Sequence, residues 1–190
     1  MGHRAAGAPE VPGAHERRTG HALTDGGGRP DRGDVLSGSR DHRAGSGDGW
    51  TRCGVGHRHW GRFGAAGLLL TSEGLILLQL RSVDTHHGGT WSVPGGARDA
   101  HENAVTAALR EAGEEVGIRA DAVRVGGTDV DDHGGWSYTT VLARPRGQLT
   151  FRPNHETDAV RWVTVDEVGD LALHPGFRSS WPRLRDRLAG

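Results

Sequence analysis

The sequence predicts an α/β domain, helices packed on a mixed sheet, behind an unstructured N-terminal tail. Three observations lead there. Near residue 46 the texture changes from a Gly-, Arg-, Asp- and His-rich stretch to a chain with apolar runs. Between residues 63 and 165 those runs are short and separated by turn residues, as strands are. Two stretches, 100–117 and 176–188, instead carry apolar residues at helical spacing. Residues 46–190 are enough chain to bury a core between such layers.

Residues 1–45 have almost no aliphatic clusters and cannot bury enough apolar surface to offset their conformational entropy. They are expected to be disordered, and a translation start further downstream is an alternative origin for them. Phe63–Leu70 reads as a buried strand, Ser72-Glu73-Gly74 as a turn and Leu75–Arg81 as the strand completing a hairpin. A polar loop, Val83–Thr90, precedes a short strand at Trp91–Val93, and Pro94-Gly95-Gly96 leads into the first helix. Val123–Asp131 and Ser137–Ala143 are two strands around the turn His133-Gly134-Gly135. Ala159–Val165 alternates as a further strand. Gly176–Leu188 closes the domain as a helix, with Phe177, Trp181, Leu184 and Leu188 on one face.

Composition excludes several classes. A formal net charge of −1 offers no bulk attraction to nucleic acid or an anionic membrane. A single cysteine, Cys53, rules out an internal disulfide and suits a reducing compartment. The basic residues are all arginine, which reads as the codon bias of a GC-rich genome. No apolar run approaches the roughly 20 residues of a membrane span, and the N-terminus has no apolar core for a signal peptide. The expectation is a soluble, cytoplasmic protein whose partner is a small molecule; oligomeric state is not legible.

The helix after Gly96 carries the chemistry. Asp99 with Glu102 makes a capping pair, so the helix is expected to start near Ala100, and Gly117 stops it. Ala104, Val105, Ala108, Leu109 and Ala112 form the core face. Glu111, Glu114 and Glu115 cluster along one flank of the last turn, where the helix dipole disfavours negative charge and like charges at i,i+4 repel. A sequence built only to fold would place basic residues there. A divalent cation turns this repulsion into coordination, and carboxylate oxygens suit Mg²⁺ or Mn²⁺.

Gly96, Glu102, Arg110-Glu111, Glu114-Glu115, Gly117 and Ile118 stand at the spacing of the Nudix box, and the chain resembles the Nudix hydrolase family in its MutT-like bacterial branch. Ala112 departs softly, standing where the family more often has a bulkier aliphatic residue. Trp60-Gly61 through Gly67, His86 to Trp91 and His174 to Phe177 extend the likeness over residues 48–190; residues 1–47 lie outside it. The resemblance implies an α/β/α sandwich on a mixed sheet and hydrolysis of a nucleoside diphosphate linked to another group. It implies that Glu111, Glu114 and Glu115 are metal ligands, that Arg110 orients them, and that Glu102 ties loop to helix. It gives Gly96 and Gly117 roles in loop and cap geometry.

A proton acceptor is also needed. Glu114 or Glu115 is one candidate; Glu156, in Pro153-Asn-His-Glu-Thr157, is the other, and an ordinary loop acid is its plain alternative. Trp91, Trp136 and Phe151 could stack on a base and Asn154 could read its edge, though tryptophans are more often core. His86 and His87 could approach phosphate, and Asp131-Asp132-His133 could add a ligand, each with a plainer surface reading. Cys53, His57 and His59 suggest zinc, but one cysteine with two close histidines is a weak signal and is set aside.

The leading expectation is a MutT-like hydrolase of a nucleoside triphosphate, such as 8-oxo-dGTP. ADP-ribose, a nucleotide sugar or a dinucleoside polyphosphate are alternatives, because the box grips the diphosphate and ignores the rest. A nucleotide-binding regulatory module without turnover is a competing class, against which the full glutamate set argues. An interaction protein using the Gly-rich tail is another.

Overall fold

The computed structural model describes residues 45–189. The expectation for the tail therefore concerns residues that, Gly45 apart, lie outside those described. Among the described residues there are nine strands and two α-helices. A short hairpin, β1 (Trp50–Arg52) and β2 (Arg58–Trp60), comes first. The main sheet contains β3 (Ala65–Ser72), β4 (Leu75–Arg81), β5 (Trp91–Ser92), β6 (Gly95–Ala97), β7 (Val123–Asp132), β8 (Ser137–Pro145) and β9 (Thr157–Thr164). Helix α1 spans Ala104–Val116 and α2 spans Pro175–Ala189.

The strand order is β5-β4-β3-β8-β7, with β6 also on β3 and β9 also on β4. The β3–β8 pair is parallel and the other pairs are antiparallel, so the sheet is mixed. Residues alternate between faces along a strand. Ala66, Leu68, Leu70 and Leu77 thus pack with Ala107, Ala108, Ala112 and Val116 of α1. Leu69, Ile76 and Leu78 pack with Phe177, Trp181 and Leu184 of α2. One helix covers each face, which explains the uninterrupted apolar runs in β3 and β4. This is the expected α/β/α sandwich.

The predicted hairpin closes through a two-residue turn with positive φ at Glu73 (51°) and Gly74 (77°), the twist that joins adjacent antiparallel strands. Several expectations need correcting. Strand β3 starts at Ala65, because Phe63 is turned out and 47% exposed. Helix α1 starts at Ala104, four residues later than expected. Asn103 is its cap: its backbone is extended and its side-chain oxygen accepts from the Thr106 N–H. Asp99 and Glu102 do pair, the Asp99 N–H donating to Glu102 Oε2 at 3.2 Å, but ahead of the helix. Strands β1, β2 and β6 are not predicted by the sequence. Each is only three residues long, and short glycine-rich or polar stretches carry no period to detect.

Candidate active site

The C-terminal turn of α1, the β6 strand and the loop before β9 meet at one end of the sheet. Gly117 ends the helix as expected. Its φ of 77° is left-handed, and the Ile118 and Gly117 N–H groups donate to the carbonyls of Ala112 and Gly113. The loop before β9 meets the last carbonyls: Arg152 N–H donates to Val116 O and Asn154 N–H to Glu115 O, both at 2.9 Å. Helix and loop are stitched backbone to backbone, so Glu156 is held beside the glutamates of α1.

Arg110 organises the cluster. Its Nε and Nη2 donate to the two carboxylate oxygens of Glu102 at 2.7 and 3.0 Å, a bidentate fork. Nη2 also reaches Ala97 O at 2.9 Å. Nη1 donates to Glu111 at 2.7 Å and to Glu114 at 3.1 Å. One guanidinium therefore ties β6, the loop after it and two glutamates together. Gly96 leaves room for Glu111: a Cβ there would stand 2.7–2.8 Å from the Glu111 carboxylate and push it from its place.

Glu115 is held from the other side. Its side chain is buried, and Oε2 accepts from Gly95 N–H at 2.7 Å and from Gln79 Nε2 at 2.9 Å. Gln79 is itself fixed, because its Oε1 accepts from the Thr157 hydroxyl at 3.0 Å. Oε1 of Glu115 faces Arg81 Nη1 at 3.9 Å. Gln79, Arg81 and the Gly95 N–H were not recognised from sequence. A signal existed: Gln79 is the one uncharged polar side chain within the apolar strand Leu75–Arg81.

Burial pushes the carboxyls of both Glu111 and Glu115 up to about 7. For Glu111, Arg110 opposes the rise while Glu114 and Glu156 add to it. For Glu115, the Gly95 and Gln79 donors oppose it and Glu111 adds to it. The site thus concentrates more negative charge than its own cations neutralise. An all-carboxylate donor set that is charge-frustrated fits a hard divalent cation. Glu114, exposed, Glu111, half-buried, and Glu115, buried, could share the ligation.

The structure separates the remaining candidates. Asn154 lies at this end, its side-chain oxygen accepting from the Glu156 N–H at 2.8 Å. Phe151 packs against the α1-side core beside Trp162. Trp91 packs on the opposite, α2 face. Trp136 is buried, donates from Nε1 to Gly61 O at 2.8 Å and stacks on His59 at 3.9 Å. The latter two rings are committed to packing. His86 and His87 gather with His174, and the His86 carbonyl accepts at 3.2 Å from Nε of Arg81, the residue that also faces Glu115.

The sandwich thus gathers the Arg110-held glutamates and the Gly95-held Glu115 beside β6, a donor set suited to a divalent cation. The NUDIX domain family model matches residues 61–184, and the chain belongs to the Nudix hydrolases. It is 47% identical over 154 residues to a Mycobacterium tuberculosis protein named "Putative 8-oxo-dGTP diphosphatase 3", covering 74% of this chain and 70% of that one. A "Nucleoside triphosphate pyrophosphatase/Nudix hydrolase fusion protein" of Bifidobacterium longum is 37% identical, over 75% of this chain and 32% of its own. The crystal structure of a Nudix hydrolase from M. smegmatis superposes with a TM-score of 0.68 at 47% identity, covering 75% of this chain and 96% of that one. The chain is a pyrophosphohydrolase of the MutT-like kind. Among the described residues no helix is long and apolar enough to cross a membrane.

Proposed function

We propose that this chain hydrolyses a nucleoside triphosphate with Mg²⁺, Mn²⁺ being able to replace it, and releases the monophosphate and pyrophosphate. The preferred substrate is an oxidised purine nucleotide such as 8-oxo-dGTP, and the compartment is the cytoplasm. The observation that carries this reading is geometric: Arg110 holds Glu111 and Glu114, the Gly95 N–H holds Glu115, and the loop bearing Glu156 is hydrogen-bonded to the same helix end. The substrate is supported by the likeness to the mycobacterial diphosphatase.

Glu111, Glu114 and Glu115 would hold the metal. Bound Mg²⁺ supplies neutralisation of diphosphate charge and acidifies water at the site. Arg110 keeps two of the three glutamates aimed, and Glu102 with Ala97 O keeps Arg110 in place. Gln79 and Gly95 fix one Glu115 oxygen and leave the other to ligate. Water attacks one phosphorus, the bridging P–O bond breaks, and pyrophosphate leaves. Glu156 takes the proton of that water, since among the described residues no arginine pairs with it and its one ion-pair neighbour is His155, at 3.8 Å. Asn154 holds the Glu156 loop in shape through its side-chain oxygen, and its amide NH2 is the group assigned to the base edge. Phe151 is the remaining aromatic for the base; Trp91 and Trp136 are not assigned to it.

The test is a hydrolysis panel with Mg²⁺ containing dGTP, 8-oxo-dGTP, ADP-ribose, a nucleotide sugar and a dinucleoside polyphosphate. The Glu114→Gln, Glu115→Gln variant serves as the blank. Selective release of monophosphate and pyrophosphate from 8-oxo-dGTP is expected. Preference for ADP-ribose or a sugar nucleotide would overturn the substrate and keep the mechanism. Metal-dependent binding without turnover of any member would overturn the catalytic reading.

A further inference from the structure

We propose that Cys53, His57, His59 and His133 form a second metal site, a tetrahedral zinc centre that clasps the β1–β2 hairpin to the β7–β8 turn. In sequence the first three lie together and fall short of a ligand set. The fold supplies the fourth: His133 arrives from the turn at the far end of β7. One ligand atom from each of the four side chains lies within 4.8 Å of the other three. Bonds of about 2.0–2.3 Å to a tetrahedral zinc put ligand atoms roughly 3.3–3.8 Å apart. The set closes to that size by side-chain rotation of His57, which is exposed, and His133, which is half-buried.

Packing alone explains part of the cluster. Cys53 is buried against Trp136 and Ala65, and a buried thiol is ordinary core. Packing does not explain His59. Its ring is stacked on Trp136, and its Nε2 is buried with no hydrogen-bond partner among the described residues. An orphaned buried polar atom costs about 1–3 kcal/mol, and a metal bond removes that cost. Nor does packing explain three imidazoles with centroids 4.7–6.3 Å apart, an arrangement that suits neutral rings turned toward one cation.

The backbone holds the ligands in place before any metal arrives. Cys53 N–H donates to His57 O, and Gly56 N–H donates to Cys53 O, closing the loop between the first two ligands. Gly56 takes a φ of 87° there. Gly54 N–H donates to Gly134 O, joining that loop to the turn that carries His133. A thiolate with three imidazoles is a nitrogen–sulfur set, which selects zinc over magnesium. Binding releases the thiol proton to solvent and leaves the centre one positive charge. Asp131, whose Oδ2 lies 3.6 Å from His133 Nε2, stands beside it to balance that charge.

The chain's single cysteine makes the test specific, because a thiolate-to-metal band can come only from Cys53. Full-length protein is assayed for zinc content and then loaded with Co²⁺. The expected result is a single tightly held zinc per chain and, with Co²⁺, the near-ultraviolet thiolate charge-transfer band with the intense visible bands of a tetrahedral ion. Cys53→Ser abolishes the charge-transfer band. His133→Ala lowers zinc affinity by more than the roughly 10- to 100-fold typical of outer partners. The Glu114→Gln, Glu115→Gln variant keeps both signals, which separates this site from the carboxylates. Circular dichroism of the Cys53→Ser chain shows whether a lost signal is a lost ligand or a lost fold. A Co²⁺ spectrum without the thiolate band in wild-type protein overturns the proposal. So does a zinc content unchanged by Cys53→Ser.

Discussion

Two polar clusters sit in the same domain and are built on opposite plans. The carboxylate cluster is local: Gly96 to Gly117 supplies most of it, and one helix presents its glutamates. The Cys53–His133 cluster is distant in sequence and exists only because two turns meet. The first is rich in hard oxygen donors, short of positive charge and organised by a guanidinium. The second is a nitrogen–sulfur set organised by backbone hydrogen bonds. Local clusters reveal themselves as motifs, whereas long-range ones look like incidental residues until the chain is folded. The contrast also separates their proposed duties, chemistry for the carboxylates and a clasp for the nitrogen–sulfur set, although Tyr138 lies near both.

The sharpest way to break that division is at Glu156. Glu156→Gln should lower kcat by roughly 10²- to 10⁴-fold, the range for loss of a general base, and leave the cobalt–thiolate spectrum intact. A kcat close to wild type would transfer the proton to a box glutamate. Arg110→Ala comes next. Removal of an orienting partner typically costs about 10- to 100-fold in metal affinity or activity, read as a raised Mg²⁺ requirement.

The third prediction uses the raised glutamates. With folded values near 7 against an ordinary 4.5, Glu111 and Glu115 hold protons that the unfolded chain has released. Their contribution is therefore intact below about pH 4.5 and is lost as pH climbs through about 7. The Tm of chelator-treated protein should fall across that window, and Mg²⁺ should restore more of it at the alkaline end. Glu115→Gln should flatten the profile; an equally steep fall in that variant would place the charge elsewhere. The smallest effect is expected from Cys53→Ser, which should leave Mg²⁺-supported kcat/KM unchanged while removing zinc. A large loss of turnover would mean that the two regions are coupled.

Much of the carboxylate site was legible because its parts are neighbours on a helix, where spacing dictates a shared face. Glycine at 117 could be read as a helix stop because few other residues adopt its φ of 77° at little cost. The helix start was misplaced because Asp99 and Glu102 satisfy the capping pattern while serving another purpose: the Glu102 carboxylate is taken by Arg110. Sequence alone determined the family, the sandwich class, the strand–turn–strand at Leu75 and the identity of the charged helix flank. All of these rest on period and spacing within a short window. Tertiary structure decided which carboxylates are buried, that Gln79 and Gly95 hold Glu115, and that Glu156 faces the helix end. It also decided that Trp91 and Trp136 belong to packing and that His133 joins Cys53. Each of those depends on which residues a sheet register and two loop crossings bring together, and no local propensity encodes that distance.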